Sequence, residues 1–393
     1  MNSFQYYTPT KIVFGKGAEE KTGQLIKEQN CKKVLVHFGG QSAKKSGLLD
    51  RICASLDAEG IQHVTLGGVV PNPRISKVYE GIALCRKENV DFILAVGGGS
   101  VIDSAKAIAY GLAYDGDVWD LYARKAQATA CYPLGAVLTI AAAGSEMSDS
   151  SVLTNEDGWL KRGYNSDLCR CRFAVLNPEL TYTLPAYQTA CGCVDILMHT
   201  MERYFTTVKH TELTDSLAEG LMRTVIHNSS VLVKDPENYD ARAEVMWASS
   251  LSHNGLTGCG TVGDWSCHQL EHELGGMFDV AHGAGLSAVW GSWARYVYQT
   301  DAHRFAQFAV NVLAVSNHYS TPEETALAGI RAMEDFYRSI HMPVNLRELG
   351  VNATDEQIRE LARKCSFMGT RKIGSFRSLD QSDMEKIYFK ARN

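Results

Sequence analysis

The chain has 393 residues, 45% hydrophobic and 21% charged, with a formal net charge of −5. That length accommodates two or three domains and a large core, and the composition is that of an ordinary globular protein without low-complexity tracts. The mild negative charge points to neither nucleic acid nor an anionic membrane, no apolar run approaches the roughly 20 residues of a membrane span, and "MNSFQYYTPT" lacks the basic and apolar regions of a secretory signal.

The predicted elements alternate in the first half. "KKVLVHF" (Lys32–Phe38) reads as a strand ending in Gly39-Gly40, and "HVTLGGV" (His63–Val69) as a second strand. "ISKVYEGIALCRKENV" has helical periodicity. "DFILAVGGGS" (Asp91–Ser100) is a continuous apolar strand running into glycines, and "SVIDSAKAIAYGLA" follows as a helix. "PLGAVLTI" (Pro133–Ile140) is a fourth strand. Apolar strands alternating with helices predict a parallel sheet covered on both faces. After "NPELTYTLP" (Asn177–Pro185) the strands are expected to stop. From Ala186 the periodicity is helical, as in "TDSLAEGLMRTVIHNSSVLV" and "PEETALAGIRAMEDFYRSI". The expected organisation is a nucleotide-type α/β domain over residues 1–185 and an all-α domain over 186–393, with a ligand cleft between them. The eleven cysteines are an odd number, and Cys169/Cys171 and Cys191/Cys193 are spaced C-x-C rather than C-x-x-C. They suit reduced, buried thiols in a cytoplasmic protein.

Gly97, Gly98 and Gly99 with Ser100 lie between a buried strand and a helix. Without Cβ atoms, such a turn lets phosphate oxygens approach the backbone, and the N–H groups of Ser100 and Val101 are expected to point at the anion. The motif is neither G-x-G-x-x-G nor a Walker loop. A tight turn that merely needs glycine is the bland alternative. Gly39-Gly40 adds a second glycine-rich strand end, which suits a dinucleotide better than a mononucleotide.

The second half opens with "ACGCVDILMHTMERYF", where Asp195 and His199 are four residues apart. On a helix they lie about 40° apart around the axis and about 6 Å along it, so both can face one ion. A carboxylate with imidazole and no thiolate suits Fe2+ or Zn2+. "CHQLEHELGGMFDVAHGAGL" adds His268, His272 and His282. These make five candidates for a site that takes three or four ligands, and spacing does not choose among them. His268 to His272 also spells H-x-x-E-H, the inverted zinc-protease signature with Glu271 as general base. That reading leaves the glycine-rich sheet, Asp195, His199 and His282 without a role.

Together, "PTKIVFGKGAEEKTGQL", "VHFGGQSAKKSGL", "VGGGSVIDSAKAIA", "AAGSEMS", "NPELTYTLP", "GCVDILMHTMERY", "PENYDARAEVMWASS" and "CHQLEHELGGMFDVAHGAGL" resemble the iron-containing (group III) alcohol dehydrogenases, particularly the butanol-dehydrogenase-like aldehyde reductases. The resemblance runs from Pro9 to Leu286 in family order. It implies a dehydroquinate synthase-like fold, in which the α/β dinucleotide-binding domain is 1–185 and the all-α metal-binding, catalytic domain is 186–393, a homodimer, and metal ligation by Asp195, His199, His268 and His282. His272 would then face the nicotinamide and substrate rather than the ion. Gly97, Gly98, Gly99 and Ser100 would hold the pyrophosphate with Asp103 close by, and Thr139, Lys161 and Tyr182 would line the cofactor cleft. Ala143 and Ser148 depart from the family, where threonine and asparagine are common.

The implied activity is metal-dependent, NADP(H)-linked hydride transfer between nicotinamide C4 and a small primary alcohol or aldehyde, with one Fe2+ or Zn2+. Alternatives are an NAD-linked 1,2-diol or lactaldehyde reductase of the same family and, more remotely, a dehydroquinate synthase-like lyase. NADP(H) is expected over NAD(H) because Phe38–Gly47 contains no acid to accept from a ribose 2′-hydroxyl. That segment offers Gly39 and Gly40 for room, Ser42 as a donor, and Lys44 and Lys45 as cations.

Overall fold

A computed structural model describes residues 1–318 and 321–393, and they fall into two compact units. One is Tyr7–Leu184; the other joins Met1–Tyr6 to Pro185–Asn393. The first six residues thus group with the helical unit rather than with the α/β segment that follows them.

The α/β unit contains strands β1 (Lys11–Phe14), β2 (Lys33–Phe38), β3 (Gln62–Leu66), β4 (Phe92–Gly97), β5 (Leu134–Leu138), β6 (Ser150–Asn155), β7 (Leu160–Asn165) and β8 (Phe173–Leu176). Its helices are α1 (Thr22–Lys27), α2 (Ser42–Lys45), α3 (Leu48–Ala58), α4 (Ile75–Glu88), α5 (Gly99–Ala113) and α6 (Trp119–Tyr122). Six strands form one sheet in the order β1-β8-β5-β4-β2-β3, every pair parallel. β2, β4, β5 and β8 are buried almost end to end, and in β2, β4 and β5 this burial is what makes the segments read as mainly apolar strands. On one face, Val34, Val36, Phe92, Leu94 and Val175 pack with Ile26 of α1 and Ile52 and Leu56 of α3. α5 packs along β4, and α4 packs on α5.

Four of the eight strands lie outside the expected set. β1 and β8 span only four residues each, and β6 and β7 form an antiparallel hairpin rich in Ser, Thr and Asn. α5 ties this hairpin down. Lys106 is fully buried and its Nζ donates to the carbonyls of Ser145 (2.7 Å), Ser148 (2.9 Å) and Ser150 (2.7 Å).

The helical unit contains α7 (Ala186–Tyr204), α8 (Glu212–Lys234), α9 (Tyr239–His253), α10 (Ser266–Phe278), α11 (His282–Val297), α12 (Ala302–Leu313), α13 (Pro322–Ser339), α14 (Asp355–Cys365) and α15 (Gln381–Ala391). α7 is buried along nearly its whole length from Ala190 to Tyr204 and packs against α8, α9, α10 and α11. A helix covered on all sides is an interior element, so polar side chains on α7 must find partners inside. Among the described residues, no helix is long and apolar enough to cross a membrane.

Candidate metal and cofactor sites

In the α/β unit the sheet order reverses at β2. β3 lies on one side of it, and β4, β5, β8 and β1 follow on the other. The glycine turns after β2 and β4 therefore leave the carboxyl ends of adjacent parallel strands, whose register pairs Phe38 with Val96. Open α/β sheets bind ligands at such a switch point. The turn at 97–99 is also tightly packed. A Cβ on Gly97 would stand 2.5 Å from Val101 Cγ2, and one on Gly98 2.9 Å from Ile140 Cβ. The bland and the functional readings of these glycines are thus compatible. One expectation changes: the Val101 N–H donates to the Gly98 carbonyl (3.0 Å), which removes it from an anion cradle.

Thr139 follows β5 and donates its N–H to Gly97 O (3.1 Å), beside the glycine turn. Gly40 has open space around it, and Ser42 is exposed at the start of α2. Asp103 faces the hairpin: its carboxylate accepts from Ser145 Oγ (2.6 Å) and the Val152 N–H (3.0 Å). Lys161 is buried on β7 opposite Thr154, and Tyr182 is half-buried in the turn after β8.

In the helical unit, three helices bring four polar side chains to one point. α7 carries Asp195 and His199 one turn apart, with His199 Nδ1 at 3.4 Å from Asp195 Oδ1. α10 brings His268 Nε2 to 3.6 Å from the same oxygen, and α11 brings His282 Nε2 to 3.7 Å. Asp195, His268 and His282 each place one donor atom within 4.8 Å of the others. His199 reaches this trio through Asp195. Asp195 Oδ1, His199 Nδ1 and His268 Nε2 are buried atoms without a hydrogen-bond partner. Three orphaned polar atoms at one buried point are expensive unless something binds them. Ligands about 2.0–2.2 Å from a tetrahedral ion lie about 3.3–3.6 Å from one another, close to the spacing here. The donors fit a divalent cation.

The electrostatics differ within the cluster. Burial, reinforced by His253 and His268, drives the His199 pKa well below 6.5, so its imidazole is neutral. Burial acts the same way on His268, but Glu202 and Asp195 outweigh it and raise its pKa to about 9. The His282 side chain is 27% exposed against 5% for Asp195 and 7% for His268, so the cluster opens on the α11 side. His272 lies one turn beyond His268, buried, with its ring centroid 5.9 Å from that of His282 and 6.4 Å from that of His268.

Several site residues escape the sequence reading. Glu202 Oε2 is hydrogen-bonded to His268 Nδ1, and Glu271 Oε2 to His282 Nδ1. His253 packs edge-on against His199 (4.0 Å between centroids), and Trp265 packs against His268 (5.3 Å). Arg203 lies over the Trp265 ring. A recurring His-x-x-Glu spacing, at 199–202 and 268–271, is the signal that marks the two carboxylates.

Residues 9–178 match the family model described as iron-containing alcohol dehydrogenase, and residues 189–392 match the Fe-containing alcohol dehydrogenase family, C-terminal. The chain belongs to the iron-containing alcohol dehydrogenase family. It is 38% identical to NADH-dependent butanol dehydrogenase A of Clostridium acetobutylicum, with all of both chains covered. It is 34% identical to the NADPH-dependent aldehyde reductase YqhD of Escherichia coli, again over the full length of both. The crystal structure of an NADH-dependent butanol dehydrogenase A from Thermotoga maritima superposes with a TM-score of 0.96 at 36% identity, covering 100% of this chain and 99% of that one. The protein is therefore an oxidoreductase of this family, with the parallel-sheet and helical domains the family resemblance implies.

Proposed function

We propose that the protein is an NADP(H)-linked alcohol dehydrogenase working mainly as a reductase of small aldehydes, with one Fe2+ or Zn2+ held by Asp195, His199, His268 and His282. The convergence of the three partnerless buried atoms with His282 carries this reading. A bound ion would supply Lewis acidity toward a carbonyl oxygen, and a bound nicotinamide would supply the hydride. The protein's own groups do the rest. Asp195 brings the negative charge that favours a cation, and the three histidines present neutral nitrogen donors once deprotonated. Trp265 and His253 pack edge-on against each other beside the cluster, Trp265 also against His268. His272 holds a proton at its imidazole for the oxygen of the product alcohol.

The NADP(H) preference is supported by the acid-free segment Phe38–Gly47, by the open space at Gly40, and by Ser42, Lys44 and Lys45 beside it. The names of the butanol dehydrogenase relatives favour a second reading, NAD(H). Steady-state kinetics with butanal decides both points. Turnover should vanish with a chelator and return with Fe2+ or Zn2+, and kcat/KM should be higher for NADPH. Full activity after complete metal removal overturns the metal assignment. Equal or better kcat/KM with NADH overturns the cofactor preference.

A further inference from the structure

Two buried carboxylates outside the proposed ligand set follow one pattern. Glu202 stands three residues after His199 on α7, and Glu271 three residues after His268 on α10. Each is hydrogen-bonded across to a histidine of another helix: Glu202 reaches His268 on α10, and Glu271 reaches His282 at the start of α11. Each helix thus carries a candidate ligand together with the carboxylate that orients the next helix's ligand. Both glutamates are fully enclosed, at 1% and 0% exposure.

We propose that Glu202 and Glu271 are positioning residues that hold the protons of His268 and His282 on Nδ1, so that both Nε2 atoms face Asp195 Oδ1 as bare donors to the ion. The proposal rests on the metal reading above. A carboxylate only accepts, so the imidazole nitrogen against it must carry hydrogen; in neutral imidazole the other nitrogen is then a lone pair.

Glu202 is further constrained. Its Oε1 accepts the N–H groups of Cys267 (2.6 Å) and His268 (3.3 Å), the first-turn amides of α10. A glutamine of the same shape must keep its oxygen there, which turns its NH2 toward His268 Nδ1. Donor then meets donor unless the imidazole proton moves to Nε2, the nitrogen 3.6 Å from Asp195 Oδ1. Glu202→Gln therefore changes the tautomer at the ion's position without changing shape. Glu271 has its own support: a Cβ on Gly285 would lie 2.8 Å from Glu271 Cγ, so glycine there leaves the carboxylate its place.

The test is Zn2+ titration of the metal-free, full-length protein against a competing chromophoric chelator, with thermal unfolding of the metal-free forms alongside. The wild type should bind one ion. Glu202→Gln and Glu271→Leu, which removes the acceptor outright, should each raise Kd by about 10–100-fold, while the metal-free variants still unfold in one cooperative transition. Glu271 lies mid-helix, so Glu271→Leu leaves the start of α10 intact and decides the matter if Glu202→Gln does not fold. Wild-type Kd in a folded variant overturns the positioning role. A wild type that binds neither Zn2+ nor Fe2+ overturns the metal reading instead.

Discussion

Gly283→Ala places one methyl group where the helical unit has least room for it. The added Cβ would lie 2.1 Å from the carbonyl oxygen of Cys191 and 2.7 Å from its carbonyl carbon and Cα. These are backbone atoms of α7, one turn before Asp195, so no rotamer change relieves the overlap. Restoring ordinary contact requires α11 and α7 to separate by about 1 Å. Two effects oppose each other. Alanine is the better helix former by up to about 1 kcal/mol, and less in the first turn. Overpacking against rigid backbone costs about 1–3 kcal/mol. The clash wins, for a net loss of about 2 kcal/mol, or roughly 4–8 °C in melting temperature for a unit of this size. The proposed ion site should suffer more than stability does. The proposed ligand His282 is the neighbouring residue, and ligand distances tolerate only about 0.2 Å. Zn2+ affinity should therefore fall at least tenfold. Gly40→Ala is the control, since no atom lies within 4 Å of its Cβ position and its melting temperature should not move. Calorimetry of the metal-free proteins and chelator competition measure the two effects. An unchanged melting temperature and Kd for Gly283→Ala would refute the close-approach argument.

His272→Ala should keep its metal and lose turnover or change its pH profile; metal analysis showing a loss equal to that of His268→Ala would place His272 among the ligands instead. Gly39→Asp should lower kcat/KM for NADPH relative to NADH by at least tenfold, about 1.4 kcal/mol, because the new Cβ makes only ordinary contacts (3.5 Å to Val69 O) and the carboxylate adds repulsion. An unaltered cofactor ratio counts against the 2′-phosphate site. His37, fully buried between Leu66 O (3.0 Å) and Ser104 Oγ (2.9 Å), has its pKa lowered by burial from 6.5 to about 4. The unfolded imidazole protonates first as pH falls, so stability present above pH 6.5 should drop by up to about 3 kcal/mol on the way to pH 4. Denaturant titrations across that range should show the slope in wild type and a flatter one in His37→Gln.

Legibility followed physical range. β2, β4 and β5 could be read because both faces are buried, and α7 because its polar pair Asp195/His199 repeats at one helical turn. β1 and β8 are too short to stand out, and the Ser- and Thr-bearing β6 is recognisable chiefly through its antiparallel partner β7. What acts across helices was hidden. Five candidate ligands could not be reduced by spacing because the selection is made where α7, α10 and α11 meet.

The H-x-x-E-H stretch makes the same point chemically. A protease of that type needs His268 and His272 converging on one ion, with Glu271 left to activate water. Here the donor atom of His268 converges with Asp195 and His282 instead, and the Glu271 carboxylate is engaged by His282 Nδ1. A carboxylate already hydrogen-bonded to an imidazole is poorly disposed to take a proton from water. Within one helix the motif spells a hydrolase; the neighbouring helices set Asp195 and His282 against His268 and Glu271, as the proposed dehydrogenase centre requires.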